Sequence, residues 1–189
     1  MTNNWSTRKL IAAASLSALY VILSVPAFGL TLISGTPALS GVINTFIQSV
    51  VIVLVAFIMQ TRGAIVLVAT LYGILTLPFP SLGGPGFLPK VVIVFIAGLV
   101  TEVIYHLTRK NKKVSAVIMA IIFPLSTGVS LIYIGTIAGI PGMEKTAQLL
   151  FSPILIPYII VFGLLGLLSL WIYGKLEKTA VVQRIQHEK

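Results

Sequence analysis

Along this chain the apolar residues fall in runs too long for the one-sided helices of a soluble core. A hydrocarbon core of roughly 30 Å needs about 20 apolar residues in a helix, and lipid tolerates no exposed unpaired backbone group. Six segments qualify, at about residues 8 to 25, 39 to 60, 63 to 77, 88 to 108, 114 to 139 and 151 to 174. The third is short because Pro78 and Pro80 end it early, so it stops below the surface or tilts into the following loop. The pattern predicts an all-α fold: one integral membrane bundle of six transmembrane helices over residues 1–189, with no separate soluble domain and no repeat.

The polar breaks between the runs are unequal. On one side they are short or basic; on the other they are long and rich in proline and glycine, namely VPAFGLTLISGTPALS, TLPFPSLGGPGFLPK and GIPGMEKTAQLLFSP. Eleven of the thirteen cations, Arg8, Lys9, Arg62, Arg109, Lys110, Lys112, Lys113, Lys175, Lys178, Arg184 and Lys189, fall on the first side, leaving Lys90 and Lys145 on the second. Lysine and arginine concentrate in cytoplasmic loops, so both termini are expected inside the cell, with Trp5 and Trp171 near the inner interface. In the second loop Pro78, Pro80, Pro85 and Pro89 stiffen the backbone, while Gly83, Gly84 and Gly86 allow a tight turn or a close approach to a ligand. It is either a plain connector or a preorganised lid over a cavity.

Composition agrees with lipid as the solvent: 57% of residues are hydrophobic, 9% are charged, and the mean hydropathy is +1.07. In a soluble protein a net charge of +9 would point to nucleic acid. Here the cations sit at the ends of apolar runs, with no basic face interleaved with aromatics, so no nucleic-acid partner is expected. The chain has no cysteine, which excludes disulfides, thiolate nucleophiles and cysteine metal sites. The first run follows Arg8 and Lys9 as in a signal peptide, but five spans follow and no small-residue cleavage site is evident, so it reads as a retained helix.

Enzyme chemistry lacks candidates. HExxH, GxSxG and a phosphate loop are missing, and the histidines are His106 near a span end and His187 in the tail. Glu102, Glu144, Glu177 and Glu188 cannot supply a paired-carboxylate site inside the membrane, so neither catalysis, metal nor cofactor is expected. Glu102 and His106 share a helix face, where they can pair with each other or form a contact for a partner protein.

Uncharged polar groups concentrate in the opposite half. Asn44 and Gln48, Tyr72 and Thr76, and Tyr133 and Thr136 are three or four residues apart, so each pair presents one polar stripe, and Gln148 and Tyr158 add to the same level. Each pair either hydrogen-bonds helices together or lines a cavity, with Phe79 and Phe87 of the stiff loop as aromatic lining. Lys90 could neutralise a ligand carboxylate or phosphate, or snorkel to the interface; Glu144 could meet a cationic ligand or pair with a lysine. On the first span Ala14 and Ala18, like Ala13 and Ser17, lie four apart and leave a flat face for another helix, with Gly163 and Gly166 making a looser case on the last.

Together RKLIAAASLSALY, the glycine-proline loop and GGPGFLPKVVIVFIAGLVTEVIYHLTRK resemble the substrate-binding S-component of an energy-coupling factor (ECF) transporter over nearly the full chain. The likeness is closest to the hydroxymethylpyrimidine or thiamine branch, through Gly84, Pro85, Gly98, Glu102 and Arg109; RGAIVLVATLYGILTLPF is similar to the biotin branch, whose GPTGGY signature is absent. The resemblance implies a small water-soluble vitamin bound from outside beneath the loops. It also implies that the Ala14 and Ala18 face docks on a transmembrane coupling subunit driven by a pair of ATPases, in the bacterial cytoplasmic membrane. The function expected is thus high-affinity vitamin binding for an ATP-driven importer. The alternatives are a stand-alone channel or facilitator, which requires a continuous polar path, and a structural membrane protein whose polar stripes only join helices.

Overall fold

The structure, a computed structural model, describes residues 5–34, 37–80, 82, 84–139, 143, 147–148, 152–153 and 155–186, with the side chains of 31, 32, 34 and 37–42 outside that set. The described residues contain helices and turns and no strand. The helices are α1 (Thr7–Ser34), α2 (Pro37–Met59), α3 (Ala64–Leu75), α4 (Pro89–Thr108), α5 (Lys112–Ile137), α6 (Leu155–Leu176) and α7 (Ala180–Gln186). Four of them are long and apolar enough to cross a membrane: the Thr7–Leu30 part of α1, α4, α5 and α6. Ile43–Met59 of α2 and the whole of α3 are shorter apolar helices.

α2 occupies the middle of the bundle, packed against α1, α3, α5, α6 and α7, while neighbours meet around it in the order α1, α3, α4, α5, α6. A helix apolar on every side belongs in a core. Accordingly Val51, Ile52, Val53, Val55, Ala56 and Phe57 of α2 are all buried in succession. The outside of the bundle is apolar as well: Ile11, Ile22, Leu107, Ile160 and Leu164 are each more than half exposed. Such a surface would drive association in water and suits a bilayer.

Helix contacts are closest where glycine removes a side chain. A Cβ at Gly98 would lie 3.1 Å from Val66 Cα, and one at Gly166 would lie 2.6 Å from the Ala116 carbonyl oxygen. These two glycines set the spacing of α3 against α4 and of α5 against α6. Hydroxyls add polar joints: Ser49 Oγ on α2 donates to the Ala120 carbonyl on α5 at 2.9 Å.

Two elements depart from the sequence reading. The first helix continues through Pro26 to Ser34, so most of the loop expected from about residue 25 is helical. A proline inside a membrane helix costs less than in water, because neighbouring helices and hydroxyl side chains satisfy the carbonyl it frees. The second departure is α7, which folds back beneath the bundle with Val182 buried and Ile185 packed on the core. α7 touches α1 and α2, so the first and last described segments lie at the same end of the bundle. That end carries the described cations other than Lys90 and is here termed the basic end.

Candidate functional site

The polar stripes of α1, α2 and α3 meet in the half of the bundle away from the basic end. Ser24 Oγ donates to Asn44 Oδ1 at 2.9 Å, and Asn44 Nδ2 donates to the Tyr72 hydroxyl at 3.1 Å. That hydroxyl also lies 3.2 Å from Asn44 Oδ1 and 3.5 Å from Ser24 Oγ, so one amide and one serine fix the phenol. Tyr20 of α1 stacks on Tyr72, with ring centroids 3.7 Å apart and an interplanar angle of 12°. Gln48, one turn beyond Asn44 on α2, is fully buried beside the two phenols. Gln48 faces both hydroxyls, but neither its Oε1 and Nε2 nor the Tyr20 hydroxyl reaches a partner at full hydrogen-bond geometry.

Thr76 lies one turn beyond Tyr72 and is buried, with its hydroxyl returned to the carbonyls of Tyr72 and Gly73 in its own helix. Lys90, expected to neutralise a ligand anion or to snorkel, is instead buried, and its ammonium donates to the carbonyls of Thr76 at 3.2 Å and Phe79 at 2.9 Å. The Thr76 carbonyl stands at the C-terminal end of α3, where a helix carries partial negative charge, and the Phe79 carbonyl lies in the turn that follows. At the other end of α3, Glu102 takes the complementary part. Its Oε1 accepts from Gly63 N and its Oε2 from Ile65 N, each at 3.0 Å. The twelve residues of α3 rise roughly 18 Å, and twelve residues separate Lys90 from Glu102 on the adjacent α4, so one helix caps both ends of the other. The expected Glu102 and His106 contact is present at 3.6 Å between Nδ1 and Oε1, while the imidazole Nδ1 lies 2.7 Å from the Glu102 carbonyl.

Other sequence candidates lie apart from this cluster. Phe79 stacks on Phe28 of α1 at 5.2 Å and ties the stiff loop to the first helix, and Gly86 N donates to the Leu77 carbonyl to close the turn. Phe87 is half-buried, with its carbonyl accepting from Lys90 N. Tyr158 is half-buried among Phe46 and Phe162, an aromatic group between α2 and α6. Tyr133 is 70% exposed and Thr136 is exposed, with its hydroxyl on the Ile132 carbonyl, so this pair faces away from the bundle interior and does not join the cluster. Gln148 is exposed, and Glu144 and Lys145 lie outside the described residues. On α1 the two small-residue faces divide: Ala13 and Ser17 are buried, Ser17 Oγ lying 3.4 Å from the Val68 carbonyl of α3, whereas Ala14 and Ala18 point outward.

At the basic end a second polar group closes the bundle. Gln186 Nε2 of α7 donates to the Phe57 carbonyl at 3.0 Å and the Tyr173 hydroxyl at 3.2 Å, and the Tyr173 hydroxyl donates to Glu177 Oε1 at 2.9 Å. Gln60 Nε2 joins through the same Phe57 carbonyl at 3.2 Å. This network caps the C-terminus of α2. Among the described residues no group of three metal-ligating side chains comes together.

Tyr20 and Ser24 belong to the cluster and escaped the sequence reading. Their spacing of four residues on an apolar helix, matched to that of Asn44 and Gln48 on the next, was the available signal. No protein family, no curated protein and no solved structure matches this chain.

Proposed function

We propose that the chain is a membrane-embedded binding subunit for a small water-soluble vitamin or precursor, held at the Tyr20, Asn44, Gln48 and Tyr72 cluster and delivered by an ATP-driven coupling module. In this reading all six apolar helices are embedded, the basic end faces the cytoplasm with both termini, and the ligand arrives from the other side. The positive-inside bias of the cations supports that orientation. The observation that carries the proposal is Gln48. An amide buried with neither atom paired costs about 1–3 kcal/mol per group, and a bundle interior built mainly of alanine, valine and isoleucine has no packing need for it. The outward face of Ala14 and Ala18 leaves room for a partner helix, here the coupling subunit.

The cluster is closed: Tyr20, Gln48 and Tyr72 have no exposed surface. Binding therefore requires the stacked phenols to part. The same closure favours a second reading, in which the cluster only joins α1, α2 and α3. The two readings separate on one experiment, calorimetric titration of the detergent-solubilised protein, without ATP, against thiamine, its hydroxymethylpyrimidine precursor, biotin, pantothenate, riboflavin and pyridoxine. The binding reading expects one compound to bind at a single site; silence across the panel would favour the structural one.

A further inference from the structure

The groups around Gln48 also bear on the charge of what binds there, an inference that rests on the cluster being a ligand site. Lys90 is the described cation of this half of the molecule, and its ammonium is already committed to two carbonyls at the end of α3. The described carboxylates that could meet a cation lie at the basic end, Glu102 on the amides of Gly63 and Ile65 and Glu177 beside Tyr173 and Lys112. A charged ligand entering the cluster would lose its water without gaining a counter-ion among the described residues, which strongly disfavours it.

What the cluster does offer is directional and neutral. Gln48 presents a carbonyl acceptor and an amino donor side by side, both unpaired, and the Tyr20 hydroxyl adds a group that can donate or accept. Asn44 has no such freedom, since Ser24 and Tyr72 already hold its amide. The near-parallel rings of Tyr20 and Tyr72 supply flat aromatic faces against which a planar ring can lie. We propose that the cluster selects an uncharged, planar ligand with an adjacent donor and acceptor, such as an amide, lactam or aminopyrimidine edge. Gln48 is then the residue that determines specificity, and carboxylate or phosphate counterparts of the same ligand are rejected.

Matched pairs differing in charge test this directly: nicotinamide against nicotinate, biotinamide against biotin, and hydroxymethylpyrimidine against its phosphate, each titrated into the wild-type protein by calorimetry. The expected result is that at least one uncharged member binds, more tightly than its charged counterpart by at least about tenfold. Gln48→Glu, which keeps the shape and exchanges the amino donor for a second oxygen, should weaken that binding by a similar factor, while its thermal unfolding without ligand reports whether the variant folds. Equal or tighter binding of the charged members would overturn the charge selection and leave the binding reading standing. Absence of binding by every compound would overturn both, and if Gln48→Glu fails to fold, the wild-type pairs still decide.

Discussion

The two ends of this bundle treat buried polar groups differently. At the basic end Glu102 meets two backbone amides, Gln186 and Gln60 meet the last carbonyls of α2, and Tyr173 both donates and accepts. In the opposite half Asn44, Ser24 and Tyr72 satisfy one another, but both atoms of the Gln48 amide and the Tyr20 hydroxyl are left open. Among the described residues the basic end also leaves one buried side-chain atom unpartnered, Ser115 Oγ near the start of α5, a single hydroxyl against the two atoms of the Gln48 amide. Paired groups explain themselves as parts of the fold, because each closes a helix end or joins two helices. The unpaired ones have no such part in the fold, and the proposed ligand site is drawn on Gln48 and the Tyr20 hydroxyl for that reason.

Substitutions at the paired groups should be the most damaging. Glu102→Leu orphans the buried Ile65 amide and the part-buried Gly63 amide at the start of α3 and is expected to cost about 2–4 kcal/mol, read as an earlier thermal unfolding in detergent. An unchanged midpoint would mean that water or lipid headgroups replace the carboxylate and that this end is not held as described. Lys90→Met removes two charge-assisted contacts at the other end of α3 and is expected to cost about 1.5–3 kcal/mol. If Lys90→Met instead folds with wild-type stability and loses ligand, the lysine serves the ligand after all, and the contrast between the two halves fails. Gly98→Val pushes α4 off α3, where even a Cβ would sit 3.1 Å from Val66 Cα, at about 1–3 kcal/mol. Because that contact lies between the two capped ends, the same unfolding assay shows whether α3 and α4 act as one unit.

The long apolar helices were plain from the sequence because in lipid the backbone must satisfy itself, which makes hydropathy and length nearly sufficient. Part of the candidate cluster was legible too: Asn44, Gln48 and Tyr72 do converge. What the sequence withheld was facing and partnership. Tyr133 and Thr136 share a stripe as clearly as Asn44 and Gln48 do, yet their stripe points outward, and a periodicity cannot say which side of a helix the bundle covers. Lys90 and Glu102 looked like ligand or partner contacts because a buried charge in a membrane segment ordinarily signals function. Their role as caps depends on α4 running alongside α3, a tertiary fact. α7 was missed because its apolar residues, Ala180, Val181, Val182 and Ile185, fill only two turns of a tail that is otherwise polar.

Gln48 carries the proposed ligand site, and one comparison tests it: vitamin titration and thermal unfolding of the wild type beside Gln48→Met. With its open amide replaced by an apolar side chain of similar length, the variant should unfold no earlier than the wild type, and later by up to about 1 kcal/mol, while ligand affinity falls at least about tenfold. A variant that loses stability and keeps its ligand would contradict the claim, since Gln48 would then be holding helices together and not a ligand.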